Sequence, residues 1–386
     1  MSEVDSLAHI QEHFGDIQDP RHERTRHHKL IDILVIAICA IICNADNWEE
    51  VEAFGEAKEI WFKGFLELPN GIPSHDTFTR VFARLNAKQF ETCFLSWIAA
   101  AYKVTNGQVV AIDGKLPRGS RDGRSIGKGA IDMVSAWATQ NSLVLGQVKV
   151  NEKTNEIKAI PELQSVLELH GCIITIDAIR CQTAIASQIV IEKEADYVLS
   201  LKENQGRLYE DVALLFKDLK ENPRAYDFDY AKTSEHGHGR QEKRECWTIS
   251  DPQILKDLRG FENWEKLLTV SRIHSQRQEN GKTSVEDHYH IASITGAKRV
   301  MSAVRSHWGI ENGLHWRLDI AFDEDHCRVR KQNGPENFSI LRHIAMNLLM
   351  QDKTSKRSIK TKRMQAAWDN AYLLQVLSGF SKLVQT

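Results

Sequence analysis

Two short apolar runs in this chain each end in an aspartate. Residues 109–112 (Val-Val-Ala-Ile) lead into Asp113, and residues 172–176 (Cys-Ile-Ile-Thr-Ile) lead into Asp177. Runs of this length, rich in β-branched residues, predict buried strands. A charged side chain at the end of a buried strand is unfavourable unless a partner compensates its charge. The two runs therefore predict a sheet with a carboxylate site at the ends of two of its strands.

The elements around these aspartates predict a mixed α/β fold. The pattern indicates strands over 108–113, 131–139, 142–150, 172–177 and 197–201, with helices over 161–169 and 182–194. The order strand, hairpin, helix, strand, helix, strand is typical of a central mixed sheet, and it matches a ribonuclease H-like fold. In such a sheet the first and fourth strand ends lie close together, so that Asp113 approaches Asp177.

A third acid, Glu311, lies in a segment that reads as helix. His307, Glu311, His315 and Asp319 are spaced by four residues and share one helical face. Two aspartates and a helical glutamate make an all-oxygen site for Mg²⁺ or Mn²⁺, and two such ions are the usual apparatus for attack on a phosphodiester. A zinc site is the alternative for the His/Glu stripe, although no HExxH order is present. Four other acids compete with Glu311 for the third position: Asp319, Asp323, Glu324 and Asp325.

The 386 residues predict more than one domain. Residues 1–100 read as an all-helical N-terminal domain, and residues 105–350 as the catalytic α/β domain with a β-rich insertion at about 205–300. Residues 351–386 form a basic, helical tail. Its cations between Lys353 and Arg363 have no acid among them, which makes them candidates for phosphate contact or for a solvated face.

One N-terminal helix is a candidate DNA-binding helix. Ser74 is in the position of an N-cap for a helix over 75–85, which has an apolar side and carries Arg80 and Arg84 four residues apart. Paired arginines on a helix that follows a tight turn suit a DNA-binding helix-turn-helix. An ordinary amphipathic helix with solvated arginines fits the same pattern.

Composition excludes several classes of protein. The net charge of −2 gives no global signal for nucleic acid, so any DNA contact has to come from local patches. The seven cysteines are odd in number and form no CxxC pair, which predicts reduced thiols in a cytoplasmic protein. The N-terminus does not read as a signal peptide, and the apolar residues 30–42 are too few to span a membrane.

The loop after Asp113 allows two interpretations. Residues 123–127 (Gly-Arg-Ser-Ile-Gly) match the GxSxG pattern of serine hydrolases, with Ser125 as the nucleophile. That pattern needs a buried strand before the serine and a helix after it, and here polar residues precede it. The cations of this loop instead suit contact with a DNA backbone near the acids: Arg118, Arg121, Arg124 and Lys128. Lys115, just before the loop, is a further candidate for DNA contact.

Taken together, the motifs resemble the DDE insertion-sequence transposases, and within them the H-repeat-associated branch linked to Rhs elements. The resemblance runs nearly end to end. It is carried by residues 111–115, 174–182 and 307–325 around the three acids, and by residues 196–205, 237–244 and 337–349.

The resemblance implies that Asp113, Asp177 and Glu311 hold Mg²⁺ or Mn²⁺ for DNA strand cleavage and transfer. It also implies that Lys202, Arg240 and Arg305 face phosphates, with His238 and Arg240 either near the scissile bond or in a simple polar loop. The expected partner is double-stranded DNA, both element ends and target, bound by a homodimer. Two rival interpretations are a structure-specific nuclease of the same fold and an inactive relic that only binds DNA.

Overall fold

The computed structural model describes residues 3–101, 107–115, 132–150, 156–178, 181–237 and 239–378. Its centre is a nine-stranded sheet with the order β3-β2-β1-β4-β5-β9-β8-β7-β6. The strands are β1 Val109–Lys115, β2 Asp132–Ala138, β3 Leu143–Val150, β4 Ile173–Ile176, β5 Asp196–Leu201, β6 Asp229–Gly237, β7 Arg240–Ile249, β8 Thr269–Glu279 and β9 Lys282–Ala292. The predicted mixed α/β class is thereby confirmed.

Strands β1, β4 and β5 are parallel neighbours, and the other pairings are antiparallel. The apolar runs form the buried strands β1 and β4 because they can lie between layers on both faces of the sheet. Strand β1 continues two residues past Asp113, since Gly114 and Lys115 pair with β2. The β-rich stretch after β5 extends the same sheet, because β9 pairs with β5 from Val198↔Ala292 to Leu201↔Tyr289.

The N-terminal hundred residues are helical, as predicted. The helices are α1 Glu3–Phe14, α2 Leu30–Ile42, α3 Trp48–Ala57, α4 Glu59–Phe62, α5 His75–Arg84 and α6 Ala87–Ala101. Helix α2 is buried from Asp32 to Ile42, which explains its apolar composition. In α5, Phe78, Val81 and Phe82 are buried, whereas Arg80 and Arg84 are exposed. Ser74 is at the N-cap, but its hydroxyl lies 3.3 Å from the Thr77 hydroxyl and makes no capping bond to the backbone.

The remaining helices cover the sheet and join it to the N-terminal helices. They are α7 Glu156–Val166, α8 Thr183–Ser187, α9 Gly206–Glu221, α10 Pro252–Lys256, α11 Ala297–Ile310, α12 Trp316–Phe322, α13 Gly334–Gln351, α14 Ile359–Trp368 and α15 Asn370–Leu377. Helix α7 begins five residues before the predicted start, with Pro161 inside it. Helix α13 is buried along most of its length and contacts α2, α5, α6 and β3. The N-terminal helices and the sheet therefore share one hydrophobic core.

The cationic run near the C-terminus is partly buried. Lys362 donates to the backbone carbonyls of Leu349 and Asp352. Arg363 is fully buried and donates to the Ile41 carbonyl of α2 and to the Asp46 carboxylate. These two cations are therefore structural, and the prediction that the run is a phosphate-binding or solvated face is wrong for them. All seven cysteines are free thiols. Within the described ranges, no helix is long and apolar enough to cross a membrane.

Candidate active site

The register of the parallel strands brings two of the predicted acids together. Ile112 of β1 pairs with Ile176 of β4, so Asp113 and Asp177 are the next residues on adjacent strands. Val109 and Ile173 pack against Val300 and Ala303 of α11. Because side chains alternate along a strand, Asp113 points to the same side of the sheet as Val109. The Asp113 carboxylate therefore faces the layer that contains α11.

Helix α11 brings the third acid to that layer. Glu311 follows Ile310, the last residue of α11, and begins a π-helical turn, Glu311–His315, that leads into α12. Such a turn inserts one extra residue and is frequent at functional sites. A hydrogen bond of 3.0 Å joins Nδ1 of His307 to Oγ1 of Thr175, which fixes α11 on β4 two residues before Asp177.

A glycine permits the close approach of the π-helical turn to the sheet. A Cβ atom added to Gly313 would lie 3.0 Å from Cζ2 and 3.3 Å from Nε1 of Trp137. Trp137 is a fully buried residue of β2, so its ring has little room to move. One turn earlier, a Cβ atom on Gly309 would meet Thr139 at an ordinary 3.6 Å. The sequence reading missed this contact, because the residues that make it are 176 positions apart.

The two aspartates act electrostatically on Glu311. The pKa of Glu311 is raised, first by partial burial and then by the negative charges of Asp113 and Asp177. Repulsion of this kind acts over several ångströms and requires the carboxylates to lie near one another. All three line one cleft of about 720 Å³. A cation placed between them would relieve that repulsion.

The donor chemistry of the three acids fits a hard divalent cation, which prefers carboxylate oxygens. In the described ranges, however, no group of three or more His, Cys, Asp or Glu side chains is arranged closely enough to hold a metal ion. The fit is therefore one of donor type and charge, supported by the raised pKa of Glu311. The His/Glu stripe is divided among different partners: His307 bonds to Thr175, and His315 Nδ1 is 3.8 Å from Asp113 Oδ2.

Lys115, predicted to contact DNA, is bonded within the protein. Its Nζ donates to Asp319 Oδ1 at 2.5 Å and to Glu324 Oε2 at 2.8 Å. Asp319 and Glu324, two of the competitors for the third catalytic position, therefore pair with this lysine. The other two competitors are Asp323, which is 2.6 Å from His326 Nδ1, and Asp325. None of the four is among the residues that line the cleft, whereas Glu311 is.

Basic side chains line the same cleft as the acids. Of the predicted phosphate-binding residues, Lys202, Arg240 and Arg305 are in this lining. Lys202 Nζ is 3.8 Å from Asp177 Oδ1. Sequence reasoning did not single out Arg277, and it named Arg244 only within a motif. The alternation of Arg240, Glu242 and Arg244 along β7 could have indicated that they share one face.

Several other predicted residues are elsewhere. Arg80 and Arg84 are on α5 and are not among the residues that line the cleft. The predicted residues Arg118, Arg121, Arg124, Ser125, Lys128 and His238 lie outside the described residues. The cleft and its acids thus come from β1, β4, β5, from α11 with the turn that follows it, and from strands β7, β8 and β9.

The chain is similar to known proteins over nearly all of its length. Residues 105–348 match the family described as "Transposase DDE domain", and residues 11–98 match the family described as "DDE_Tnp_1-associated". The protein named "H repeat-associated putative transposase YhhI" from Escherichia coli K12 is 39% identical over 379 residues, which are 97% of this chain and 98% of the relative. "Putative transposase YncI" from Escherichia coli O157:H7 is 38% identical over 98% of this chain and 96% of its own length.

Among solved structures, the chain is similar to the piggyBac transposase in a cryo-EM synaptic complex with hairpin DNA. The TM-score is 0.44 and the sequence identity 11%, with 99% of this chain and 79% of that chain covered. The match to the DDE domain spans more than half of the chain, and the H repeat-associated relatives align with nearly all of it. The chain therefore belongs to the family of transposases that carry the DDE domain.

Proposed function

We propose that this protein binds the ends of an insertion sequence and catalyses DNA strand cleavage and strand transfer. The observation that carries the proposal is the convergence of Asp113, Asp177 and Glu311 in one cleft with Lys202, Arg240 and Arg305. The strand order β3-β2-β1-β4-β5, with β1 parallel to β4, is the order expected of a ribonuclease H-like core and supports it.

In this proposal Asp113, Asp177 and Glu311 hold Mg²⁺ or Mn²⁺. Bound divalent ions supply activation of the attacking oxygen and stabilisation of the leaving oxygen in phosphodiester chemistry. The raised pKa of Glu311 supports a role in holding a cation, because the two neighbouring aspartates already concentrate negative charge there. The hydrogen bond between His307 and Thr175 keeps the Glu311 helix on β4.

The basic residues of the cleft orient the DNA in this proposal. Lys202 is next to Asp177, and Arg305 is on α11, six residues before Glu311. Both are partly exposed on the cleft lining, so each can reach a phosphate beside the bond that is cut. The proposed partner is double-stranded DNA, and the proposed assembly is a homodimer because two element ends have to be brought together.

The test is cleavage and joining of labelled DNA that carries the ends flanking the gene, in Mg²⁺ or Mn²⁺. We expect Asp113→Asn and Asp177→Asn to lose cleavage while they keep their affinity for the ends. Asp257→Asn, which alters an exposed acid outside the cleft lining, serves as the control and should cleave normally.

Other results would identify the rival interpretations. Cleavage without joining would favour a structure-specific nuclease. Specific binding of the ends without cleavage by the wild-type protein would favour an inactive relic. Cleavage by Asp113→Asn at the wild-type rate would show that the assignment of the site is wrong. Light scattering of the protein with and without DNA ends would test the homodimer.

A further inference from the structure

Three arginines beside the proposed active site are already paired with glutamates. Both guanidinium nitrogens Nη1 and Nη2 of Arg305 contact the carboxylate of Glu235. Arg240 Nε is 3.0 Å from Glu242 Oε1, and Arg244 contacts Glu242 through Nη2. Arg244 Nη1 is also 3.7 Å from Glu235. Two carboxylates thus compete for the arginines that a DNA phosphate would need.

The two glutamates are placed in an unfavourable position for a sheet. In the pairing of β6 with β7, Glu235 is directly opposite Glu242. Like charges directly opposite in an antiparallel pair repel each other. The three surrounding guanidiniums offset this repulsion, and the cluster of two acids and three arginines has a net charge of +1. The arginines therefore stabilise the two facing glutamates, while the glutamates occupy the arginines.

We propose that Glu235 and Glu242 determine specificity by masking Arg240, Arg244 and Arg305 from DNA that offers no other contacts. This inference rests on the proposed function, since it assumes that the cleft binds a DNA backbone. Phosphates of a duplex have to displace the glutamates, which weakens binding that relies on charge alone. A duplex held by further contacts, such as an element end, overcomes this competition. The masking residues do not touch the reacting atoms and are not catalytic.

The experiment measures binding of the full-length protein to a 20-bp duplex of arbitrary sequence over a range of KCl concentrations. The variant is the double substitution Glu235→Gln and Glu242→Gln, which keeps the side-chain shape and removes the competing charges. We expect it to bind this duplex about 5-fold or more tightly at low salt, because the guanidinium groups, no longer paired with glutamates, become available for phosphate contacts. The dependence of log Kd on log salt should steepen by up to about 0.9 for each additional phosphate contact.

A matched control is Glu210→Gln. Glu210 pairs with Arg259 at 3.1 Å in an exposed pair outside the cleft lining. Glu210→Gln changes the net charge by one, as each of the two masking substitutions does. A general effect of charge would therefore also appear in this variant. A second variant, Arg305→Ala, completes a double-mutant cycle with Glu235→Gln. Arg305→Ala should weaken binding only slightly in the wild-type background and should cancel the gain of Glu235→Gln.

The outcomes separate this inference from the proposed function. Unchanged binding by the double variant overturns masking, and weaker binding would show that the glutamates orient the arginines for DNA. An equal gain in Glu210→Gln also overturns it. If neither wild type nor double variant binds any duplex, both masking and the proposed DNA-binding function fail. Thermal unfolding of each variant establishes that the proteins compared are folded.

Discussion

Lys115 Nζ lies 2.8 Å from Oε2 of Glu324, and this contact ties the strand of Asp113 to the segment after α12. Glu324 is almost fully buried, with 3% of its side chain exposed. Burial alone would raise the pKa of Glu324, but the charges of Lys115 and Arg342 outweigh it and lower the pKa. Lys115, two residues after the proposed catalytic aspartate, thus stabilises the buried negative charge of Glu324.

Replacing Lys115 with Met should destabilise the protein strongly. Among the described residues, the cation that would remain paired with the buried Glu324 is Arg342, at 3.9 Å. Removal of one member of a buried pair typically costs about 3–5 kcal/mol. Urea unfolding followed by circular dichroism would measure the loss. Lys266→Met is the control, because its pair with Asp196 is exposed and should contribute less than about 1 kcal/mol. Equal losses in the two variants would contradict a special role for Lys115.

Replacing Gly313 with Ala should impair both stability and cleavage. The added methyl group would press on the buried ring of Trp137 and move the π-helical turn that begins at Glu311. Overpacking of this kind costs about 1–3 kcal/mol. Gly309→Ala is the matched control, since its Cβ has ordinary contacts on the same side of the helix. Thermal unfolding and cleavage assays should show a clear loss for the first variant and little change for the second. Equal behaviour would argue against a tight contact.

Asp352 should make stability depend on pH in the acid range. Burial raises its pKa, but hydrogen bonds from Thr354, Tyr372 and Lys362 lower it to about 2 from the usual 3.8. Because the folded-state pKa is the lower one, the stabilisation is complete above the usual value and is lost as pH falls through about 4 to 2. The expected loss over that window is on the order of 2 kcal/mol.

The measurement is the free energy of unfolding of wild type minus that of Asp352→Asn as a function of pH. This difference should shrink as pH falls from about 4 to 2, because only the wild type has the carboxylate to lose. Asp257→Asn, which replaces an exposed acid elsewhere in the chain, is the control for the loss of one negative charge. A constant difference for Asp352→Asn would contradict the lowered pKa.

Asn347 should stabilise the edge strand β3 through two hydrogen bonds to its backbone. Strand β3 is at one end of the strand order, and Asn347 of α13 accepts from Val144 N at 2.8 Å and donates to Val144 O at 2.9 Å. Asn347→Ala would leave two buried backbone groups without these bonds, at a cost of about 3 kcal/mol. Gln351→Ala, which removes one bond to Asn141 O, should cost about 1 kcal/mol. Chemical unfolding would compare the two, and an order opposite to this one would refute the assignment.

The strands and the neighbouring positions of Asp113 and Asp177 could be predicted, because apolar runs of β-branched residues favour buried strands. The order of the elements then placed both runs in one sheet. The contacts of single side chains could not be predicted in the same way. Lys115 bonds to acids 204 and 209 positions away, and nothing local distinguishes it from a lysine that faces DNA.

The same limit applies to Lys362 and Arg363. Their composition is that of a surface, yet Arg363 is buried against α2, more than 300 positions earlier in the chain. Likewise the pairing of Arg305 with Glu235 depends on how α11 crosses β6, and no periodicity in either segment encodes that crossing. Patterns of hydrophobicity report which face of an element is buried. They do not report which charged groups meet after the elements have packed.

The position of α13 has a consequence for how the protein reaches its native state during synthesis. Helices α2, α5 and α6 all pack against α13, which begins at residue 334. A growing chain would carry these N-terminal helices for most of its translation with that surface uncovered. Their final packing should therefore follow release of about the last seventh of the chain from the ribosome. Shortened gene copies that lack α13 should yield chains exposed to aggregation and proteolysis.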